Sequence, residues 1–403
     1  MSTRILKRRS NLFNIPGRDG QLALVPEHVK PATADAGVDV RKGSTKLHNK
    51  TSSNNLVNLA LKTLPRMLVA EANMFCGELH KHNLTPAYDH KRSARYTIMS
   101  LLGLARARAS KHNVDIDIEA IYQDLDSYQN MLSPGDLGLQ LWLDHRLGSS
   151  CAEAILNRLR NVLRSSDWHK IDTMELAWVL TGLTQHNYKS GQEGDEMTDS
   201  LVRYLLGNRS ASCGLFYHLG NGMRRRFPNF ASQIYTIHAL SMRARLAADK
   251  RSGERAIVAA QRLSSLQRAN GGWPWLYDAD RGEVVEPFEI YSVHQDAMAP
   301  MAFHELYAAT GVDSKEIVNR GLKWLYGENE LGTDMIDGNK GLIYRSIRRK
   351  SIQARASLYL RTLVSVTGIS LHTEPRPSSL EINLTCRPYH LGWILEAWCK
   401  GDS

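Results

Sequence analysis

Along most of this chain, apolar residues recur at intervals of three and four, the spacing that places them on one face of an α-helix. The pattern begins near residue 53, and no convincing alternation of apolar and polar positions predicts a set of strands. Ser, Thr, Asp, Asn or Pro often stands near the start of a segment, and Gly or Asn often follows its end. The predicted helical segments are 56–80, 93–109, 116–128, 135–147, 150–165, 173–187, 195–208, 230–248, 253–268, 292–310, 314–327, 348–367 and 387–399.

Several of these segments follow one another as long and short pairs, which is typical of helical hairpins. Closing about six hairpins into a ring predicts an all-α domain at 53–403 with the architecture of an α/α toroid, whose inner helices surround a cavity. The alternative is an open α-solenoid, which uses the same hairpins without closing.

Five of the longer segments align on a small residue followed by leucine or an aromatic residue. Small side chains let helices pack closely, so these segments are predicted to form the inner ring. Pro300 lies inside one of them and is expected to kink its helix. The aligned small residues are Gly103, Gly182, Ala239, Ala302 and Ala397.

The same alignment places a polar residue about two turns before each small residue. In a toroid of hairpins all inner helices run the same way, so their N-terminal ends share one rim, and a site is predicted there. Helix N-termini also favour an anionic ligand or a deprotonated carboxylate. The aligned polar residues are Tyr96, Glu175, Ser232, Gln295 and His390, with Arg95, Gln233 and Asp296 as their immediate neighbours.

Chemically reactive side chains are densest at 291–296, where His294 and Asp296 are candidates for an acid/base pair. Residues two apart do not share a helix face, so the pair would have to act from an irregular first turn. The alternative is that Asp296 caps the helix and His294 is a core histidine. With Glu175 and His390, these two residues complete the candidate catalytic set.

Aromatic residues precede that segment, and Asp-Arg-Gly at 280–282 predicts a turn or short hairpin lying over the ring. The faces of Trp273, Trp275 and Tyr291 would stabilise a carbocation, stack on a sugar ring, or simply seal the loop onto the scaffold. Arg387 is expected to close the site from the opposite side. The carboxylates of the loop lack a calcium-type spacing, and no metal site is predicted.

The sequence Gln-Arg-Ala-Asn-Gly-Gly-Trp at 267–273 ends one helical segment and opens a turn. A Gln side chain at a helix end satisfies backbone groups of its own helix and of the next one. A degenerate second copy, with Asn329 in the Gln position, begins 62 residues later (258 to 320), as stacked helix pairs would produce. The arrangement resembles the QW repeat of squalene and oxidosqualene cyclases, which have protein prenyltransferases as fold relatives.

This resemblance implies a toroid with an internal cavity and an isoprenoid substrate. The Asp-x-Asp-Asp motif of the cyclases that protonate an alkene is missing, and 114–118 comes closest to it. Asp-Asp-x-x-Asp, which would hold magnesium on a diphosphate, is missing as well. No cofactor is therefore predicted, with Mg²⁺ expected only if the substrate carries a diphosphate.

Charge is uneven along the chain, whose formal net charge is +10. Residues 1–50 hold ten Lys or Arg and four Asp or Glu, which accounts for +6 of that total. The segment is rich in Pro, Gly, Ser and Asn, so 1–52 is predicted to be a disordered basic arm. Such an arm is usually solvated; contact with an anionic membrane surface is the alternative, and nucleic acid is not an expected partner.

The five cysteines at 76, 151, 213, 386 and 399 are scattered without a Cys-x-x-Cys motif, which predicts a reducing, cytoplasmic location. No apolar run of about 18 residues predicts a transmembrane helix.

Three functional interpretations follow. The first is a terpenoid-cyclase-like enzyme that acts on an isoprenoid with Asp296 as the acid. The second is a carbohydrate-active hydrolase, lyase or epimerase with Glu175, Asp296 and His390 as acid/base groups, since separated carboxylates in an aromatic cleft suit glycoside chemistry. The third is a non-catalytic scaffold that binds a partner. The repeat places the first interpretation slightly ahead of the second.

Overall fold

The computed structural model describes residues 44–192, 195–350, 361, 364 and 375–399. Helices dominate these residues, and the predicted all-α class is confirmed. The helices are α1 (Ser44–Thr63), α2 (Ser93–Ala109), α3 (Ile118–Asp124), α4 (Pro134–Leu147), α5 (Ala152–Ser165), α6 (Thr173–Ser190), α7 (Glu196–Tyr204), α8 (Phe230–Ala247), α9 (Lys250–Ser265), α10 (Ala299–Thr310), α11 (Lys315–Leu325) and α12 (Pro388–Trp398).

The even-numbered helices from α2 to α12 form a closed inner ring, because each packs on the next and α12 packs on α2. The odd-numbered helices that connect them pack on the outside of this ring. Burial follows the same division. Helix α2 is buried on almost every side, whereas amphipathic α5 buries only Ile155, Leu156, Leu159 and Leu163. The chain is therefore an α/α toroid and not an open solenoid.

Glycine pairs allow the closest approaches between inner helices. A Cβ atom added to Gly103 of α2 would lie 2.0 Å from the carbonyl oxygen of Gly392 in α12. A Cβ atom added to Gly182 of α6 would lie 2.1 Å from the carbonyl oxygen of Gly138 in α4. The prediction that small residues mark inner-helix contacts is confirmed for Gly103 and Gly182. In α12, however, Gly392 makes the close contact, where the alignment had pointed to Ala397.

Short strands connect the helices, and of these the sequence predicted only the hairpin around 280–282. Strands β4 and β5 form an antiparallel hairpin around the predicted turn at 280–282, and β10, β9 and β6 form a three-stranded antiparallel sheet. The strands are β1 (Leu68–Val69), β2 (Met74–Phe75), β3 (Leu79–His80), β4 (Leu276–Asp278), β5 (Glu283–Glu286), β6 (Ile290–Tyr291), β7 (Ile336–Asp337), β8 (Leu342–Ile343), β9 (Ser346–Arg349), β10 (Leu380–Asn383) and β11 (Thr385–Cys386).

Two predicted helices differ from the structure. The helix expected at 56–80 ends at Thr63, where Pro65 opens a 3-10 turn because its ring nitrogen cannot donate to the helix. The helix expected at 348–367 begins instead in β9, and most of its remaining length lies outside the described residues. Of the predicted arm, 1–43 lies outside the described residues and 44–52 forms the first part of α1.

The irregularity expected at Pro300 takes the form of a π-helical turn at His294–Met298, directly before α10. Pro300 has no amide hydrogen to donate to the carbonyl of Asp296, four residues earlier. The indole Nε1 of Trp398 in α12 donates to that carbonyl instead, at 2.6 Å. The π-turn thus ties α10 to α12 at the point where the predicted acid/base pair lies.

The Gln-Gly-Trp motif at 267–273 links neighbouring hairpins through hydrogen bonds. Nε2 of Gln267 donates to the carbonyl of Gly271 at 2.9 Å and to that of Ile317 in α11 at 3.1 Å. In the second copy, Asn329 donates to the carbonyl oxygens of Trp324 and Thr333. These bonds confirm the backbone role expected of Gln267, which is a role in the scaffold.

Candidate active site

The N-terminal ends of the first three inner helices are joined through one guanidinium group. Nε of Arg95 in α2 donates to Oδ1 of Asp136 in α4 at 2.6 Å, and Nη2 donates to Oε1 of Glu175 in α6 at 2.8 Å. Nη2 also donates to the hydroxyl of Ser133, which caps α4. Three helix starts therefore share one ion-pair network.

Aromatic contacts continue this arrangement around the ring. The rings of Trp178 in α6 and Tyr235 in α8 meet edge to face with centroids 5.1 Å apart. Phe230, the first residue of α8, stacks on His294 in the π-turn at 4.3 Å. Helices α6, α8 and α10 are thus connected near the same end of the toroid.

Two further contacts join α12 to its neighbours on either side in the ring. Nε2 of His390 in α12 lies 2.7 Å from Oδ1 of Asp296 in the π-turn. Tyr389, one residue earlier, packs its ring at 4.7 Å from that of Tyr96 in α2. The structure therefore places Tyr96, Glu175, Asp296 and His390 on one rim formed by the starts of all six inner helices.

Asp136 and Glu175 differ in their hydrogen bonding although both bind Arg95. Asp136 forms a capping box with Ser133, so its carboxylate is committed to the start of α4. Burial raises the pKa of Glu175, and the nearby charge of Asp136 raises it further, while Arg95 opposes the shift. Glu175 is therefore the carboxyl of this network that is suited to hold and release a proton.

The His390–Asp296 pair is buried, with Asp296 fully inaccessible. Burial raises the pKa of the Asp296 carboxyl, whereas the adjacent His390 opposes that shift. A carboxylate that accepts the Nε2 hydrogen of His390 fixes the imidazole tautomer and leaves the lone pair on Nδ1. The pair can therefore orient His390 as a proton acceptor.

His294 lies among aromatic rings at the same rim. Trp275 is almost parallel to it, at 6.2 Å and an interplanar angle of 4°, and the Tyr291 ring is 5.1 Å away. Burial holds the pKa of His294 well below its usual value, and the positive potential of His390 and Arg345 acts in the same direction. His294 is therefore neutral at physiological pH and lies beside partly exposed Trp275 and Tyr291.

Some sequence-predicted site residues lie elsewhere. Trp273 is fully buried between Phe230 and Phe303 and belongs to the core. Gln233 holds both backbone groups of Phe216, and Gln295 donates to the Tyr291 carbonyl. Trp273 fills the core, and the side-chain amides of Gln233 and Gln295 satisfy backbone groups, so all three belong to the scaffold.

Arg387 does reach the rim. Its Nη1 donates to the hydroxyl of Tyr96 at 2.7 Å, and its Nη2 lies 3.2 Å from Oε2 of Glu78. It therefore closes the rim between α12 and α2, on the side opposite Glu175.

Sequence reasoning missed three rim residues: Asp136, Trp178 and Tyr235. The Ser-Pro-Gly-Asp sequence at 133–136 is a capping-box signal that could have located Asp136. Trp178 and Tyr235 each follow an aligned polar position by one helical turn, which puts them on the same face. Arg345 belongs to a basic cluster with Arg348, Arg349 and Lys350 that is visible in the sequence, but nothing in the sequence places it at the rim, because it lies between short strands.

Cys386 precedes the start of α12. Burial raises the pKa of the Cys386 thiol to about 12, so the thiol four residues before His390 stays protonated. Within the described ranges, no cluster of three or more His, Cys, Asp or Glu residues is arranged to hold a metal ion. Nor does any helix described here combine the length and the apolar character needed to cross a bilayer.

The fold is similar to that of several carbohydrate-active enzymes of known structure. An unsaturated glucuronyl hydrolase specific for heparin superposes with a TM-score of 0.55 at 15% identity, covering 87% of this chain and 95% of that one. A sugar epimerase from a ruminal bacterium gives 0.57 at 10% identity, covering 88% and 98%. Cellobiose 2-epimerase from Bacillus thermoamylovorans gives 0.57 at 12% identity, covering 87% and 99%.

No protein-family model and no curated protein sequence matches the chain. At these sequence identities the structural likeness establishes the α/α-toroid fold alone, so the reaction has to be inferred from the residues of the site. The three neighbours are two epimerases and a hydrolase of sugars, so the isoprenoid interpretation drawn from the QW-type repeat gains no support from them.

Proposed function

We propose that this protein is an enzyme that acts on a carbohydrate by acid/base chemistry at the N-terminal rim of the toroid. The observation that carries the proposal is the His390–Asp296 pair, a buried imidazole and carboxylate 2.7 Å apart, on a rim that also holds Glu175 and neutral His294. The structural likeness to sugar hydrolases and epimerases gives this class priority among toroid functions.

Each polar group has a role in such chemistry. His390, oriented by Asp296, accepts a proton at Nδ1 from a sugar carbon or from a water molecule. Glu175 lies across the rim and donates a proton to the leaving glycosidic oxygen in hydrolysis, or to the opposite face of the deprotonated carbon in epimerisation. Partly exposed Trp275 and Tyr291 offer ring faces on which a sugar stacks.

The charged character of the rim favours a carbohydrate over an isoprenoid. An apolar substrate would remove water from Arg95 and Glu175 without replacing its hydrogen bonds, which is energetically costly. Sugar hydroxyl groups both donate and accept, so they satisfy these side chains when water leaves. The rings of Trp275 and Tyr291 would then pack against the apolar faces of the sugar ring.

The test is an activity screen followed by proton NMR in D₂O. Purified protein is incubated with a panel of disaccharides, including cellobiose, and with unsaturated glucuronyl disaccharides. Hydrolysis releases a new reducing end, whereas epimerisation incorporates deuterium at the inverted carbon. We expect one of these changes with wild-type protein and its loss in His390→Asn.

The matched control is His112→Asn, which changes an exposed histidine after α2. It should retain wild-type turnover. If no sugar is altered by wild-type protein, or if His390→Asn turns the substrate over at the wild-type rate, the proposal is wrong. A protein that binds sugars without altering them would instead be the non-catalytic scaffold.

A further inference from the structure

Arg345 is held at a fixed place beside the π-turn. Its amide donates to the carbonyl of Asn383 at 3.0 Å, and its carbonyl accepts from the amide of Ser292 at 2.9 Å. It directly precedes β9, the central strand of the three-stranded sheet. The backbone that carries this guanidinium is therefore rigid.

The guanidinium of Arg345 has no anionic partner within the residues that the structure describes. Its Cζ lies 5.1 Å over the ring of Tyr291, and its Nε is buried without a hydrogen-bond acceptor. The next two arginines behave differently, since Arg348 pairs with Glu381 at 2.8 Å and Arg349 with Glu286 at 3.1 Å. An uncompensated, partly buried cation is costly unless a ligand supplies the counter-charge.

Glu289 is close in sequence to Tyr291 but forms no direct ion pair with Arg345. One of its carboxylate oxygens accepts from the Tyr291 hydroxyl at 2.9 Å, and the other accepts from Ser346 and Asn383. The carboxylate is therefore satisfied by three neutral donors. The arginine stacks on the tyrosine ring without reaching the acid.

The positive charge of Arg345 shifts the pKa values of residues at the rim. It contributes to the low pKa of His294, and it also lowers the otherwise raised pKa values of Tyr291 and Tyr389. These residues belong to the π-turn, the preceding strand and α12, which surround the His390–Asp296 pair. The guanidinium thus lies where a molecule bound at the rim would meet it.

We infer that Arg345 binds the carboxylate of an acidic sugar, so that the substrate of the rim is a uronate and not a neutral sugar. The inference rests on the carbohydrate function proposed above and specifies its substrate class. A planar guanidinium matches the two oxygens of a carboxylate, and a cation without a direct ion-pair partner favours a ligand that carries a negative charge.

The test compares methyl β-D-glucuronide with methyl β-D-glucoside, which carry a carboxylate and a hydroxymethyl group at the same carbon. Isothermal titration calorimetry measures both Kd values for wild type and for Arg345→Gln. A charge-assisted hydrogen bond at a partly buried site is worth about a 10-fold to 100-fold change in affinity. We expect wild type to prefer the glucuronide by that factor and Arg345→Gln to lose the preference without weakening glucoside binding.

Arg348→Gln is the matched control, because Arg348 is exposed and lies three residues after Arg345, so the variant removes a guanidinium that does not reach the rim. It should keep the glucuronide preference. Thermal unfolding reports whether Arg345→Gln is folded. If it is not, Arg345→Lys keeps the charge without the planar fork and should retain only part of the preference.

Several outcomes would overturn the inference: equal wild-type affinity for the two glycosides, an unchanged preference in Arg345→Gln, or tighter binding of a glucose 6-sulfate glycoside than of the glucuronide. The two proposals can fail separately. If the protein turns over neutral sugars and Arg345→Gln does not change the rate, the uronate assignment is wrong but the proposed enzymatic function stands. If the protein binds glucuronide through Arg345 but turns over no sugar, the binding site is supported and the proposed enzymatic function is wrong.

Discussion

His390 and Asp296 lie 2.7 Å apart between Nε2 and Oδ1, and this contact joins the last inner helix to the π-turn that precedes α10. Trp398, at the end of the same helix, binds the main-chain carbonyl of Asp296 at 2.6 Å. Helix α12 therefore holds Asp296 by both its side chain and its backbone. The aspartate is fixed relative to the imidazole that it orients.

Asp296→Asn should reduce catalysis with little effect on binding. The amide nitrogen of asparagine would donate to Nε2 of His390 and place the imidazole hydrogen on Nδ1, the nitrogen that should accept a proton. We expect kcat for the carbohydrate found in the screen to fall about 10²-fold to 10⁴-fold, with a similar Kd. Steady-state kinetics and calorimetry measure the two quantities.

The control for that variant is Asp144→Asn. Asp144 is also fully buried, but its Oδ1 accepts from the hydroxyl of Tyr122 and not from a histidine. It should leave kcat near the wild-type value. Equal losses in both variants would mean that burial of an aspartate matters and that the His390 tautomer does not.

Stability should fall as the pH is lowered below the ordinary histidine range. Burial keeps the pKa of His294 well below its value in the unfolded chain, which is about 6.5. Below that pH the unfolded chain binds a proton that the folded state does not, so the free energy of unfolding decreases on acidification by up to about 1.4 kcal/mol per pH unit for this site. His238, whose pKa burial also lowers, acts in the same direction.

Urea denaturation at pH 7.5 and pH 5.5 measures this effect. His294→Gln should show a smaller loss of unfolding free energy between the two pH values than wild type does. A variant with the full wild-type pH dependence would show that His294 does not resist protonation in the folded protein.

Arg95 and Glu175 should be strongly coupled in a double-mutant cycle. Their side chains are 28% and 17% exposed, and Asp136 shares the same guanidinium. We expect Arg95→Gln and Glu175→Gln to show a coupling energy of about 1–3 kcal/mol in the free energy of unfolding. Arg108 and Glu119, an exposed bidentate pair, serve as the comparison and should couple by about 0.2–1 kcal/mol. Equal coupling in the two cycles would contradict a partly desolvated network at the rim.

Gly182→Ala should destabilise the ring. The new Cβ would lie 2.1 Å from the Gly138 carbonyl oxygen, so α4 and α6 must separate, at a cost of about 1–3 kcal/mol. Gly207→Ala is the control, because nothing lies within 4 Å of its added Cβ. Alanine there should stabilise the helical turn by about 0.5–1 kcal/mol. Thermal unfolding should therefore shift in opposite directions, and a neutral Gly182→Ala would contradict the close packing of these helices.

Much of the scaffold could be predicted from the sequence because the inner helices carry long, regular repeats. Helix α2 has the predicted bounds, 93–109, and Gly103 makes the close contact expected of it. Apart from the hairpin whose turn at 280–282 was predicted, the strands could not be predicted, since segments of two to four residues are too short to show alternation. The C-terminal end of α1 depended on Pro65, which hydrophobic periodicity does not take into account.

The rim was partly predictable. Glu175 and His390 stand near the starts of aligned helices, so helix direction alone brings them together. The contact of Arg345 with Tyr291 and the bond between Arg95 and Asp136 depend on chain segments that meet only after folding. Gln267 shows a different limit: its bonds to Gly271 and Ile317 fasten neighbouring hairpins, a task that any toroid has, so the motif indicates the fold and not an isoprenoid substrate.

A crystal structure of the His390→Asn variant soaked with the sugar that wild type converts tests most directly whether the rim is the active site. We expect electron density for a sugar ring stacked on Trp275 or Tyr291, with a polar atom within hydrogen-bond distance of Glu175 or of the substituted residue 390. A sugar bound at any other place on the protein, with the rim occupied only by water, would contradict the assignment of catalysis to the helix starts.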